Sequence, residues 1–394
     1  MKKKQTYSTS TRSHVLIVGV QTPENTSKDI ESYFEEFRNL IASNGVEYDE
    51  ECYIKIREID AGYLLTKGKL QELIQLSQEK EFEEIIFSEP LTNQQHRNLS
   101  KVLHSRIYDR TELILEIFEK GAQSGEGKLQ IAIALLQHKK TRVVGGGKDL
   151  SQQAGFLGGR GPGETQKEKE LRHFEHLIST LTRDLKHLEQ VRETQRKRRI
   201  NQRIPHIAII GYTNAGKSTI LNTLTQSKVL AEDKLFATLD TTTRELFVQS
   251  TKIGVISDTV GFIQQLPHKL ISAFKSTLTE LAYADLLLHV VDASDANWQQ
   301  QIDVVHGILN DINVDKPMLY VFNKADRLSP EQQGLMEGYL NRYQPAVLIS
   351  ALSKEGIAPL KDFLFQWHVG RKAMTLTTAP EEEEIDDVDA EEEN

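Results

Sequence analysis

The run Gly211-Tyr212-Thr213-Asn214-Ala215-Gly216-Lys217-Ser218 constrains this chain more than any other segment, because it fills each fixed position of the phosphate-cradling pattern G-x-x-x-x-G-K-[ST]. Its flanks suit it. His206-Ile207-Ala208-Ile209-Ile210 predicts a buried strand leading in, and Thr219-Ile220-Leu221-Asn222-Thr223-Leu224 carries helical spacing leading out. Strand, glycine loop and helix in that order aim backbone N–H groups and the positive end of a helix dipole at an anion. Gly211 and Gly216 allow the main chain to approach phosphates, Lys217 brings a charge to the β- and γ-phosphates, and the Ser218 hydroxyl is placed to ligate Mg²⁺. These residues imply an α/β fold that binds a nucleoside triphosphate.

Three later strings select the nucleotide. Asp258-Thr259-Val260-Gly261 follows the strand pattern Gly254-Val255-Ile256-Ser257, so that Asp258 can hold Mg²⁺ through water and the Gly261 N–H can sense a γ-phosphate. Asn323-Lys324-Ala325-Asp326 closes the apolar run Met318-Leu319-Tyr320-Val321-Phe322. A buried Asp326 carboxylate would accept two hydrogen bonds from guanine and lose them with adenine, which favours GTP. Ser350-Ala351-Leu352, after Ala346-Val347-Leu348-Ile349, completes the base pocket. The first switch is expected in Leu235-Phe236-Ala237-Thr238-Leu239-Asp240-Thr241-Thr242-Thr243, where spacing alone does not choose among the four threonines. In the second switch Phe262 stands where a Ras-like GTPase has the glutamine that orients the attacking water. No catalytic residue is assigned, and slow hydrolysis is expected until a partner or an extra cation completes the site.

With 394 residues the chain has room for more than one core. Residues 13–126 alternate strand and helix patterns and read as an N-terminal α/β domain. Residues 127–203 read as a helical hairpin. Its second helix carries Leu171, Phe174, Ile178, Leu181, Leu185 and Leu188 at alternating three- and four-residue steps, a short coiled-coil seam, with Leu129, Ile133 and Leu136 on one face of the first. Between them lies a glycine-rich loop that includes Gly158, Gly159, Arg160, Gly161 and Gly163. Residues 204–370 form the expected Ras-like P-loop GTPase domain, and residues 371–394 an acidic tail. The ten carboxylates in residues 381–394 outweigh the net charge of −9, so the remainder sits near neutrality and the tail is expected to be disordered. It serves either to solubilise or to compete for the basic cluster that ends the hairpin: Arg192, Arg196, Lys197, Arg198, Arg199 and Arg203. That cluster and the glycine loop are candidate contacts to RNA phosphates. No apolar stretch approaches the roughly 20 residues of a membrane span. A lone Cys52 rules out an intramolecular disulfide and suits a reducing cytoplasm. A cytoplasmic monomer is expected.

At this point the chain resembles the HflX family of TRAFAC-class translational GTPases. The resemblance covers about residues 13–370 and rests above all on Gly158-Gly159-Arg160-Gly161-Pro162-Gly163-Glu164-Thr165-Gln166. Asp109-Arg110-Thr111-Glu112-Leu113-Ile114-Leu115, Glu126-Gly127-Lys128-Leu129-Gln130 and residues 235–240 and 258–263 support it. It implies that the glycine loop reaches into the large ribosomal subunit and its RNA, that Thr238 joins Ser218 on Mg²⁺, that Asn214 holds K⁺ beside the phosphates, and that stalled ribosomes are dissociated under stress. The chain departs from the family pattern at Thr241, usually proline, at Lys167, usually leucine, and in the irregular helix pattern of residues 131–140. Some relatives carry a further small domain where this chain has the acidic tail. An Obg-like assembly factor for the large subunit is the main alternative. A TrmE-like RNA-modification subunit needs a reactive C-terminal cysteine, which Cys52 is not.

Overall fold

Val15-Leu16-Ile17-Val18, apolar at every position, forms the core of a central strand buried on both faces, the pattern of parallel sheets covered by helices. The computed structural model describes residues 14–25, 30–145, 166–225, 235–236, 243–259, 261–264 and 280–377. The strand, β1 (Val15–Gln21), lies between β2 (Glu50–Lys55) and β3 (Glu84–Phe87), with β4 (Arg106–Tyr108) outside β3, all parallel. Parallel neighbours need crossovers, supplied by α1 (Ile30–Asn44), α2 (Lys67–Lys80) and α3 (Asn93–Leu103). Leu16, Val18 and Val20 pack with Leu73 and Leu99, while Val15 and Ile17 face Phe37 and Leu40 of α1 and Ile114 and Phe118 of α4 (Arg110–Gly121). Thr92 with Gln95, and Asp109 with Glu112, close capping boxes that fix the starts of α3 and α4.

Helices α5 (Gly125–Gly145) and α6 (Gln166–Asn201) run antiparallel, tied by Lys140–Glu175 at 2.8 Å and Arg192–Glu126 at 3.2 Å. The expected seam is half-buried from Leu171 to Leu185, but Leu188 is exposed, so the zipper ends one step early. On α5 the deepest face is not Leu129, Ile133 and Leu136, which are half-buried. It is Gln130, Ile131, Ala134 and His138, because α5 packs on α3 and α4 as well as on α6. Of the tail expected over residues 371–394, residues 371–377 instead continue the helix Ala358–Thr377, and residues 378–394 lie outside the described residues, as does the glycine loop with Gly158, Gly159, Arg160, Gly161 and Gly163.

After the hairpin comes a second sheet. It comprises β5 (His206–Gly211), β6 (Thr243–Val248), β7 (Thr251–Asp258), β8 (Leu286–Asp292), β9 (Met318–Asn323) and β10 (Ala346–Leu348) in the order β10-β9-β8-β5-β7-β6, with only β6 antiparallel. Ile207 and Ile209 of β5 pack under α7 (Lys217–Thr225) and α9 (Ala358–Thr377). Ala208 and Ile210 face the other way, toward α8 (Trp298–Asp311). That second face is continuous with the core of the first sheet: Phe236 meets Phe118 edge-on at 4.6 Å, and the Leu235 N–H donates to Ser43 Oγ at 3.1 Å. The sheets therefore share one apolar cluster. Among the described residues no helix is long and apolar enough to cross a membrane.

Candidate nucleotide-binding site

The loop between β5 and α7 is shaped by two glycines. Gly211 has φ +146°, and a Cβ there would lie 2.2 Å from the Val290 carbonyl oxygen of β8. Gly216 has φ +94°, and its Cβ would fall 2.2 Å from Asn323 Nδ2. Neither position has room or conformational tolerance for a side chain. Asn214 takes the left-handed conformation with φ +61° and is exposed. Lys217 opens α7, is 6% exposed, and donates from Nζ to the Tyr212 carbonyl at 2.7 Å. Burial, with Lys324 adding to it and Asp258 opposing, pulls its pKa down to about 8.

Ser218 Oγ donates to the Asp258 carboxylate at 2.7 Å, and that carboxylate also accepts the Thr259 N–H at 2.9 Å. Asp258 is fully buried at the end of β7, and Thr259 Oγ1 is anchored on the Ile209 carbonyl at 2.7 Å. A hydroxyl and a carboxylate side by side are a hard-oxygen donor pair suited to Mg²⁺. Gly261 follows so closely that a Cβ on it would be 2.9 Å from Lys217 Nζ.

At the far side of the loop, Asn323 Nδ2 donates to the Ala215 carbonyl at 2.9 Å, and its Oδ1 accepts the Ala351 N–H at 3.1 Å. The Ala325 N–H donates to the Ile349 carbonyl at 3.0 Å, so the two base-loop strings are laced together. Lys324 is paired with Asp292 at 2.6 Å. Asp326, expected to be buried, is exposed, and its carboxylate accepts Ser350 Oγ at 2.5 Å. It stands on a loop rim beside Leu352, itself 78% exposed, so its carboxylate is desolvated only where a ligand covers this rim.

Residues 211–218, 258, 259, 261, 323–326 and 350–352 are thus brought around one loop. Three exceptions stand out. Tyr212 turns its phenol away from the loop onto Glu36 of α1. Phe236 spends its ring on Phe118 in the shared core, and Phe262, 2% exposed, is buried in that same core. Ala237, Thr238, Leu239, Asp240 and Val260 lie outside the described residues. Of the basic cluster, Arg192 is paired with Glu126, Arg198 is exposed, and the side chains of Arg196 and Arg199 lie outside the described residues.

Sequence reasoning missed Glu36, Arg110 and Gln264, which meet Tyr212 at the junction of the two sheets. The one local signal is Arg110, a charge heading the apolar run Leu113-Ile114-Leu115.

Residues 31–119 match the family described as GTP-binding GTPase N-terminal, residues 121–199 the GTP-binding GTPase Middle Region, and residues 206–324 the 50S ribosome-binding GTPase family. The chain is 42% identical over 315 residues to the GTPase HflX of Caldanaerobacter subterraneus, covering 80% of this chain and 72% of that protein. It is 39% identical over 357 residues to the GTPase HflX of Escherichia coli, covering 90% and 83%. A solved GTP-binding protein from Sulfolobus solfataricus, in complex with GDP, aligns with 91% of this chain and 99% of its own at 23% identity and a TM-score of 0.44.

Proposed function

From the premise that the chain belongs to the HflX family of GTP-hydrolysing enzymes, we propose that it binds the large ribosomal subunit and dissociates stalled ribosomes in a GTP-dependent way. The observation that carries this reading is the α5–α6 hairpin. α6 spans 36 residues, roughly 54 Å of helix, and separates the glycine loop at one end from the basic cluster at the other. An elongated element with Arg198 exposed beyond its last ion pair, Lys197–Glu193, and Arg203 exposed just past its end presents charge to a phosphate backbone lengthwise. The partner expected from such a shape is a large RNA surface.

At the site, residues 211–218 cradle the polyphosphate, Lys217 neutralises it, and the Gly261 N–H reads the γ-phosphate. Asp326, Ser350, Ala351 and Leu352 receive the guanine. Ser218 and Thr238 would hold Mg²⁺, with Asp258 behind it; the pairing of Ser218 with Asp258 fits that donor set. The ion supplies charge neutralisation at the β- and γ-phosphate oxygens. Asn214, exposed and left-handed, is the candidate for K⁺. Phe262 offers no group to orient water, so the chain alone is a slow hydrolase and the ribosome completes it.

Sucrose-gradient profiles of whole ribosomes incubated with the protein and a non-hydrolysable GTP analogue test this. Dissociation into subunits is the expected result. Intact ribosomes, with the protein found only on free large subunits, would replace the reading with that of an assembly factor.

A further inference from the structure

Arg110 heads α4 and is completely buried. Its Nη2 pairs with Glu36 of α1 and donates to the Gln264 carbonyl at 2.9 Å. Its guanidinium lies over the Tyr33 ring at 5.0 Å, and the Tyr33 hydroxyl donates to Glu89 at 2.8 Å. From the other side, the Tyr212 hydroxyl donates to Glu36 and accepts the Gln264 N–H at 2.8 Å. Burial and then Glu36 push the Tyr212 hydroxyl well above the ordinary tyrosine range, which keeps it a donor. Both backbone groups of Gln264 are therefore held by side chains from outside its own segment. Glu36 and Arg110 come from the first sheet's helices, and Tyr212 comes from the phosphate loop itself.

Gln264 is three residues beyond Gly261. The stretch between is not slack: the Phe262 N–H donates to the Gly211 carbonyl at 3.2 Å, the Thr213 N–H donates to the Phe262 carbonyl at 2.8 Å, and the Phe262 and Ile263 side chains are buried. A displacement of Gly261 toward a γ-phosphate must reach Gln264 and alter the bonds to Arg110 and Tyr212. Among the described residues, Arg110 Nε and Nη1 have no partner, so the guanidinium holds donors for a second arrangement.

We infer that Glu36 and Arg110 are positioning residues for GTP hydrolysis. Acting through Tyr212 and the Gln264 backbone, they latch residues 261–264 to the N-terminal sheet, so that the N-terminal unit and the nucleotide state bias one another. The coupling is reciprocal: whatever fixes the N-terminal unit on a partner changes the preference between GTP and GDP by the same factor. Among the described residues the bonds to Gln264 are made to its backbone, so the latch reads the position of the segment.

This inference rests on the loop taking a guanine nucleotide, and not on the identity of the ribosomal partner. The test uses the full chain as wild type, Glu36→Gln, Tyr212→Phe and the double variant. For each, the affinities for GDP and a non-hydrolysable GTP analogue, kcat and KM, and hydrogen exchange at residues 261–264 are measured. The latch predicts that each single variant shifts the ratio of the two affinities by about five-fold or more and changes kcat, with faster exchange at residues 261–264. The double variant should go no further than the larger single one, because both cut one relay. Folded variants whose affinity ratio and kcat stay within about two-fold of wild type would overturn it, since a merely structural role moves only the melting temperature. Should Glu36→Gln fail to fold, Tyr212→Phe, which removes one oxygen from an unchanged ring, decides the matter. A wild-type chain that bound neither nucleotide would overturn the nucleotide reading, and the exchange data would still decide whether the latch exists.

Discussion

Asn323 and Ala215 are 108 residues apart in the chain, yet the Asn323 amide donates to the Ala215 carbonyl at 2.9 Å. Its oxygen accepts the Ala351 N–H at the same time, at 3.1 Å. One buried side chain thereby sets the distance between the glycine loop, proposed to take the phosphates, and the strings 323–326 and 350–352, proposed to take the base.

Asn323→Ala strands a buried carbonyl and a buried N–H together. The expected loss is about 1–3 kcal/mol of stability for each unsatisfied group. GDP affinity should fall by at least about ten-fold as the loops lose their spacing. Thermal melts with and without GDP, and titration with a fluorescent GDP analogue, measure both effects.

Asp326→Asn replaces an acceptor with an amide that can donate. Guanine offers donors at N1 and the 2-amino group, so GTP affinity should drop by about 100-fold or more. A base with a carbonyl at the 2-position should now bind better, and competition between GTP and xanthosine triphosphate reads the exchange directly. Unchanged GTP preference would remove Asp326 from the base pocket.

Lys217 titrates near pH 8 because it is buried. Phosphates beside it favour the charged form and raise that value, so binding must take up protons between the two pKa values. At pH 8 the uptake should be about half a proton per nucleotide, and affinity should weaken as pH rises through 8. Calorimetry in two buffers of different ionisation enthalpy gives the count. Uptake that is equally large at pH 6.5 would assign it to another group.

Glu112 is raised to about 7 by burial and by Asp109, against the pull of Arg142. A carboxyl whose folded pKa lies above its unfolded one stabilises fully below about pH 4.5 and loses that contribution as pH rises through 7. Glu112→Gln keeps a residue that can close the capping box with Asp109 and removes the charge. The variant should match wild type at pH 4.5 and exceed it at pH 8 by on the order of 1–3 kcal/mol, read from denaturant titrations at both pH values.

The phosphate and base loops were legible because each is a short string whose chemistry is complete in four to eight neighbouring residues, and because β1 and β5 are uninterrupted apolar runs. Strand β2 was not legible. As an edge strand it reads Glu50-Glu51-Cys52-Tyr53-Ile54-Lys55, with a single buried position, so it carries little apolar pattern. The buried face of α5 was missed for a similar reason: Gln130 and His138 are polar, and it is tertiary packing that buries them, His138 against Glu112 of α4. The Glu36–Arg110–Gln264 contact joins residues 74 and 154 positions apart. No local periodicity can report a charge pair made by the meeting of two sheets. The exposure of Asp326 was likewise invisible, since a motif names the partner of a carboxylate and not what covers it.

On the proposed reading, Phe262 leaves this GTP hydrolase incomplete and the large ribosomal subunit completes it. Steady-state GTP hydrolysis by the full chain, measured with and without purified large subunits in a potassium buffer, tests it most directly. A rise of at least about ten-fold in kcat, saturating with subunit concentration, is the predicted result. A rate that large subunits leave unchanged would rule out completion of the site by the ribosome.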